Sequence, residues 1–327
     1  MNSFGRLFRV HIFGESHGPC VGITIDGCPA GLALAASDFL SDLTRRQGGA
    51  GFGSTPRKES DIPIFQSGYF NGRTTGAPLT IIFENSNTRS VDYEAQRAIP
   101  RPGHADFVAH QKYGGFEDYR GGGHFSGRLT VCLVAAGVIA KKLLGELHIE
   151  ASITELGGAP GIEAGLERAK SLGDSVGGIV ECRVRGLPIG LGEPFWDSVE
   201  ALLAHAAFSI PAVRGVEFGT GFAAASMTGS QHNDALEDAS GRTTSNHAGG
   251  VVGGITNGNE LVFRIAIKPT SSTPKEQQSL NTQTGNKESF SVQGRHDLAI
   301  ALRVPPVLEA VTAIVLADLL LLHSNSK

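Results

Sequence analysis

The chain of 327 residues carries a single tryptophan, and none of its four cysteines forms a Cys-x-x-Cys pair. Without that spacing, neither a metal site nor a redox dithiol is expected. Cys20, Cys28, Cys132 and Cys182 lie in apolar or strand-like surroundings (VGITIDGCP, LTVCLVAAG, IVECRVRG) and read as inert buried thiols, which suits a reducing cytoplasm. Basic charge is also scarce. Lys and Arg number 28 against 32 Asp and Glu, a net −4 at pH 7, which argues against a general nucleic-acid or membrane-surface binder. The opening MNSFGRLFRVHIFGESH has no continuous apolar core, so no secretory leader is expected. Uninterrupted apolar runs of membrane length are missing too. Residues 129–140 and 307–322 come nearest, but Lys141, Lys142, Glu309 and Asp318 break or close them, and buried helices are expected there.

What the chain has in excess is glycine, 44 residues of it, which points to many tight backbone passages. Alternation of apolar with polar or small residues predicts strands at 7–13, 21–26, 63–67 and 78–84, then at 178–184, 213–218 and 261–267. Helices are expected after an N-cap at Ser37-Asp38, over 128–147, and at 162–172, 198–208 and 306–322. Polar or glycine-rich stretches near 48–58, 85–103 and 273–290 read as flexible loops. Two long apolar helices, each preceded by Gly-Arg (127–128 and 294–295), suggest two similar halves within one domain.

Three segments combine histidine or arginine with glycine beyond what packing requires: Gly14-Glu15-Ser16-His17-Gly18, Arg101-Pro102-Gly103-His104-Ala105-Asp106, and the run from Asp118 to Arg128 (DYRGGGHFSGR). Glycine admits close backbone approach, arginine forks match phosphate and carboxylate oxygens, and imidazole moves protons near neutral pH. The start of the helix after Gly127 would also favour an anion. Together these features suggest a site for an anionic, phosphorylated ligand that undergoes proton chemistry. Taken alone, His17 also reads as a ring satisfied by local backbone, His104 as a helix cap, and Asp297 as an ion-pair partner. Lys268-Pro269-Thr270-Ser271-Ser272 alone reads as a strand exit as readily as a phosphate cradle.

Read in order, GESHGPCVGITIDGCP, RPGHAD, KYGGFEDYRGGGHFSGRLTVCLVAAGVIA, SNHAGGVVGGITNG, KPTSS and GRHDLAIALRVPPVLEAVTAIVLAD resemble chorismate synthase nearly end to end. The resemblance implies a lyase that eliminates phosphate from 5-enolpyruvylshikimate 3-phosphate to give chorismate, using reduced FMN without net redox change. It implies an α+β sandwich of antiparallel sheets around a helical layer, assembled as a homotetramer. By the same resemblance, His17 protonates the leaving phosphate, His104 polarises the reduced flavin, and Asp297 assists transfer of the ring hydrogen. FMN contacts fall on His124, Phe125, Ser126, Pro211, Ala212, Gly253, Lys268, Pro269, Thr270, Ser271, Ser272 and Arg295. Substrate contacts fall on Arg46, Arg120, Arg128 and Arg303, and Arg46 also matches a contact to NADP in members that reduce their own flavin.

Several positions depart from the family pattern. Gln47 and Phe52 stand where many members carry further arginines, so NADPH is expected only as an external reductant. His124-Phe125 replaces an Arg-Ser pair, Leu298 follows Asp297 where proline is common, and the region after Glu150 is short. Tyr119-Arg120-Gly121-Gly122 is similar to RGG-type RNA-binding segments, but those occur as repeated basic tracts, and this one is single within an acidic chain.

Overall fold

The computed structural model describes residues 2–47, 59–86, 97–292 and 297–325. The first half lays down β1 (Ser3–Phe4), β2 (Arg9–Gly14) and β3 (Cys20–Asp26), then a 3-10 turn (Ala36–Phe39) running into α1 (Leu40–Gln47). After it come β4 (Ile64–Ser67), the small hairpin of β5 (Tyr69–Phe70) and β6 (Arg73–Thr74), and β7 (Leu79–Glu84). An antiparallel five-stranded sheet results, in the order β1-β2-β3-β7-β4. Its register sets Val21 opposite Phe83, Ile23 opposite Ile81 and Ile25 opposite Leu79, so one face of β3 and β7 is wholly apolar and buried.

The chain continues through α2 (Asp106–Tyr113), the glycine-rich 3-10 segment Arg120–Phe125, a 3-10 turn at Gly127–Leu129, and α3 (Thr130–Leu144). The helix expected over 128–147 therefore begins two residues later, and it stops where Gly145 takes a positive φ of 65°. The second half holds β8 (His148–Leu156), β9 (Ala159–Pro160), α4 (Ile162–Leu172), β10 (Gly178–Arg185), α5 (Val199–Ala207), β11 (Val213–Phe218) and the single-turn α6 (Gly229–His232). Then come the hairpin of β12 (Val251–Val252) and β13 (Ile255–Thr256), β14 (Leu261–Ile267), β15 (Gln277–Leu280), β16 (Lys287–Phe290), a 3-10 turn (Ile300–Arg303) and α7 (Pro305–Asn325). A second antiparallel sheet runs β11-β14-β10-β8-β9.

The two sheets sandwich α3 and α7. α3 packs on β3 and β7, α7 packs on β8 and β10, and the helices pack on each other. Their approach depends on Gly137: a Cβ there would lie 2.3 Å from the Cβ of Ala310. The charges inside apolar α7 are fully engaged. Glu309 accepts from Arg45 Nη2 at 2.6 Å, Lys141 Nζ at 2.9 Å and the Ala151 amide at 3.0 Å. Asp318 accepts from the backbone N–H groups of Arg6, Leu7 and Phe8, which pins the N-terminal segment to the helix. α7 is long and apolar enough to cross a membrane by composition, yet 78% of that stretch is buried in the protein. Burial also pushes the Cys132 and Cys182 thiols up to about 12, which leaves them unreactive.

Two expectations are corrected. The segment 273–290 is not a plain loop: β15 and β16 pair antiparallel from Gln277↔Phe290 to Leu280↔Lys287. The helix near Ser37-Asp38 starts with its 3-10 turn around those residues, and Asp38 reaches back to accept from the Ala35 amide at 2.8 Å. The expected loop at 48–58 and most of that at 85–103 lie outside the described residues.

Candidate active site

The glycine run brings the two histidines together. Gly121 and Gly122 adopt left-handed φ of 60° and 80°, which only glycine takes without strain. A Cβ on Gly121 would come within 2.4 Å of His17 Cδ2, and one on Gly122 within 3.4 Å of His104 Cε1. Two residues adjacent in sequence thus each face one imidazole. The backbone also joins the segments, since the Ser16 amide donates to the Gly123 carbonyl at 3.1 Å. His17 is buried at 8% exposure, with its ring against Gly121, which lines the larger cavity described below.

His104 sits just before α2, in a tight turn closed by its own amide on the Arg101 carbonyl. Its Nδ1 lies 2.5 Å from Asp106 Oδ1, and Arg101 grips the same carboxylate through Nε at 2.7 Å and Nη2 at 2.8 Å. Burial opposes ionisation of Asp106, but the hydrogen bonds from Arg101 and His104 outweigh it and hold the carboxyl well below its usual range. The carboxylate therefore favours the tautomer with a proton on Nδ1, facing Asp106.

His104 opens onto a cavity of about 620 Å³ between the sheets and the loop after β14. His124, Phe125, Ser126, Pro211, Ala212, Lys268, Pro269, Thr270, Ser271 and Ser272 all line it. Lys268 Nζ donates to Ser271 Oγ at 2.7 Å and to the Gly103 carbonyl at 3.0 Å, while Arg101 Nη1 reaches Ser272 Oγ at 3.3 Å. Burial and the nearby Arg214 push the Lys268 amine below its ordinary value. Among the described residues, Thr270 Oγ1 is buried with no hydrogen-bond partner. His124 Nδ1 donates to the Gly14 carbonyl at 2.8 Å, locking the glycine run onto the end of β2. The opposite wall is apolar, with Val10, Ile12, Leu129, Leu133 and Ile314.

A second cavity of about 240 Å³ adjoins the first, and the two share Ser126, Gly127, Thr130, Pro211 and Ile300. Arg46, Arg128, Asp297 and Arg303 meet there. Asp61 Oδ2 accepts from Arg46 Nη2 at 2.5 Å, and Asp61 Oδ1 pairs with Arg128 Nη1. Burial lowers the Arg46 pKa, opposed by the Asp61 charge. Arg303 Nη2 lies 3.1 Å from Asp297 Oδ1. Among the described residues, the Nε groups of Arg46 and Arg303 are buried without a partner, so each retains a donor for an anion.

Two expected residues stand apart. Arg120 is half exposed, pairs with Asp118 at 2.8 Å and lines neither cavity. Gly253 occupies the turn between β12 and β13, away from both cavities, and a Cβ there would meet nothing within 4 Å. Arg295 and Phe52 lie outside the described residues. Conversely, Asp61, Arg101 and Asp106 belong to the site but were not picked out from sequence. Arg101 and Asp106 stood inside the RPGHAD motif, whereas Asp61 had no local signal. Gln47 occupies a cavity wall and donates to Asp61 Oδ2 at 2.9 Å, so it buttresses the arginine pair.

Guanidinium groups, a lysine–hydroxyl cluster and the His104 imidazole around joined cavities, with the His17 ring just behind Gly121, define an enzyme that binds polyanionic ligands and moves protons. The family model for chorismate synthase matches residues 8–321. A chorismate synthase from Chitinophaga pinensis is 69% identical over 327 residues, covering 100% of this chain and 98% of its own. One from Dehalococcoides mccartyi is 47% identical, covering 98% and 96% respectively. A chorismate synthase crystal structure superposes with a TM-score of 0.74 at 26% identity, over 98% of this chain and 93% of that one. The chain belongs to the chorismate synthase family. It is a lyase that forms chorismate from 5-enolpyruvylshikimate 3-phosphate, the last step of the shikimate pathway, and the family requires a reduced flavin.

Proposed function

We propose that the larger cavity holds FMN in its reduced form and the smaller one the anionic groups of the enolpyruvyl substrate. The observation that carries this reading is the shared wall at Ser126, Gly127, Thr130, Pro211 and Ile300, which brings the two compartments into contact. The residues fit the cofactor. About 620 Å³ is ample for it, the Thr270 hydroxyl, unpartnered among the described residues, awaits an acceptor or donor, and the Lys268–Ser271–Ser272–Arg101 cluster offers cations and hydroxyls for a phosphate. When bound there, reduced flavin would supply a ring nitrogen to take up the ring hydrogen, its proton passing on to Asp297 and its electrons going back with the elimination, so that the reaction has no net redox change.

The protein's own groups do the rest. Arg46, Arg128 and Arg303 neutralise the substrate's anions, and Arg120 joins them only by leaving Asp118. His17 gives a proton to the departing phosphate, and His104, with its tautomer set by Asp106, hydrogen-bonds the cofactor edge. Asp297, held by Arg303, serves as the carboxylate base. NADPH acts only as an external reductant, since Gln47 and Phe52 add no charge where a nucleotide phosphate would need one. The chain works as one domain of two similar halves in the cytoplasm, without nucleic acid or membrane. It assembles as a homotetramer; Phe116, Phe195 and Trp196, at 94%, 88% and 89% exposure, are aromatic surface for a second copy to cover.

The test is an anaerobic assay of phosphate release with and without chemically reduced FMN. Release only with the reduced cofactor is expected, and equal release without it would refute the reading. His17→Ala and His104→Ala should each lower turnover roughly 10- to 1000-fold. Replacing Ser271 and Ser272 together with alanine should weaken FMN binding in a fluorescence titration more than it raises KM for the substrate.

A further inference from the structure

Asn85 stands one residue past β7 and reaches under the turn between β2 and β3. Its Nδ2 donates to the Glu15 carbonyl at 3.0 Å and to the Gly18 carbonyl at 2.8 Å. Its backbone amide donates to the Pro19 carbonyl at 3.1 Å. Its Oδ1 accepts from Arg128 Nε at 3.0 Å. Only one orientation of the side-chain amide is workable, because the flipped one would set its oxygen against two carbonyl oxygens and its nitrogen against a guanidinium. The carbonyls on both sides of His17 are therefore tied, through one side chain, to an arginine of the smaller cavity. Arg128 is fixed at its other end by Asp61 and by the Glu84 carbonyl at 3.1 Å. Asn85 itself lines neither cavity.

We infer that Asn85 is a positioning residue, which locks the His17 turn to Arg128 so that proton donor and anion-binding guanidinium meet the substrate in one rigid frame. The inference rests on the proposed role of His17. A shift of about 1 Å in a catalytic group can cost on the order of 100-fold in rate. A side chain that clamps both flanks of that group is well placed to prevent such a shift.

Asn85→Asp keeps an acceptor for Arg128 but turns an oxygen on the Glu15 and Gly18 carbonyls; Asn85→Ala removes all three bonds. Both are measured for phosphate release with reduced FMN, in the native background and with His17→Ala. In the native background Asn85→Asp should lower kcat about 10- to 100-fold, with KM changed less than about 3-fold because the Arg128 contact survives. With His17 removed, the same substitution should cost less than about 2-fold, since two residues acting through one step are not additive. An equal loss in both backgrounds would mean a merely structural role and would overturn the inference, as would unchanged kcat or an effect confined to KM. His17→Ala at full activity would sink the proton-donor reading and this inference with it. A large His17→Ala loss beside an unaffected Asn85→Asp would sink the inference alone. FMN fluorescence titration checks that each variant is folded; if both lose FMN affinity, Asn85 is a folding residue and the inference fails.

Discussion

Replacing Asp61 by asparagine removes one charge and leaves the shape nearly intact, at the point where two arginines of the site converge. The Asp61 carboxylate is 1% exposed, and the Arg46 and Arg128 side chains are 7% and 4% exposed, so water cannot replace what is lost. Removing one partner of a buried pair costs about 3–5 kcal/mol. At about 2 °C per kcal/mol for a chain of this size, the melting temperature in calorimetry should fall by about 6–10 °C. Two guanidiniums without a counter-ion should then welcome an anion. Inorganic phosphate at about 100 times its Kd would restore about 2.7 kcal/mol, and should raise the melting temperature of the variant more than that of the native protein. The sign of the pH effect follows from Asp61. Its burial opposes ionisation, but the Arg46 and Arg128 charges more than offset this and hold the folded pKa below its ordinary value. The contribution is thus complete above the unfolded carboxylate pKa of about 3.9 and is lost as pH falls toward the folded value. The gap between native and variant should be full at neutral pH and narrow progressively below about pH 4. A variant melting within about 1 °C of the native protein, with no added response to phosphate, would refute the reasoning.

Other outcomes follow from the same geometry. Gly121→Ala should lower kcat at least about 10-fold, because its Cβ would press within 2.4 Å of the His17 ring; a steady-state assay beside an unchanged FMN titration checks it. Asp106→Asn should free the His104 ring and lower kcat. Since the native carboxyl is held below its usual range, the stability gap to this variant should also close as pH drops below about 4, which thermal melts at stepped pH would reveal. Gly137→Val should cost at least about 1–3 kcal/mol by overpacking α3 against α7, seen as a lower urea midpoint.

Much of the fold was legible because its elements carry local signals. The strand at 261–267 and the helix at 162–172 appear with the boundaries that alternation and helical spacing predict. Ser198 caps α5 by accepting from the Ala201 amide at 3.1 Å. β8 escaped notice because its buried positions, Ala151 and Leu156, do not alternate cleanly. The β15–β16 hairpin escaped because its strands are polar on both faces, so backbone pairing is its main signature.

Read alone, the chain determined most of its local elements and its stock of chemical groups: glycine steps, imidazoles, arginine forks and a lysine–hydroxyl run all announce themselves within a few residues. Their convergence belonged to the tertiary structure. Asp61 meets Arg46 across 15 residues and Arg128 across 67, and Asn85 meets the His17 turn across about 70. Such pairings leave no period in the sequence, because they arise only when two sheets close on α3 and α7 and force buried charges and amides to find partners.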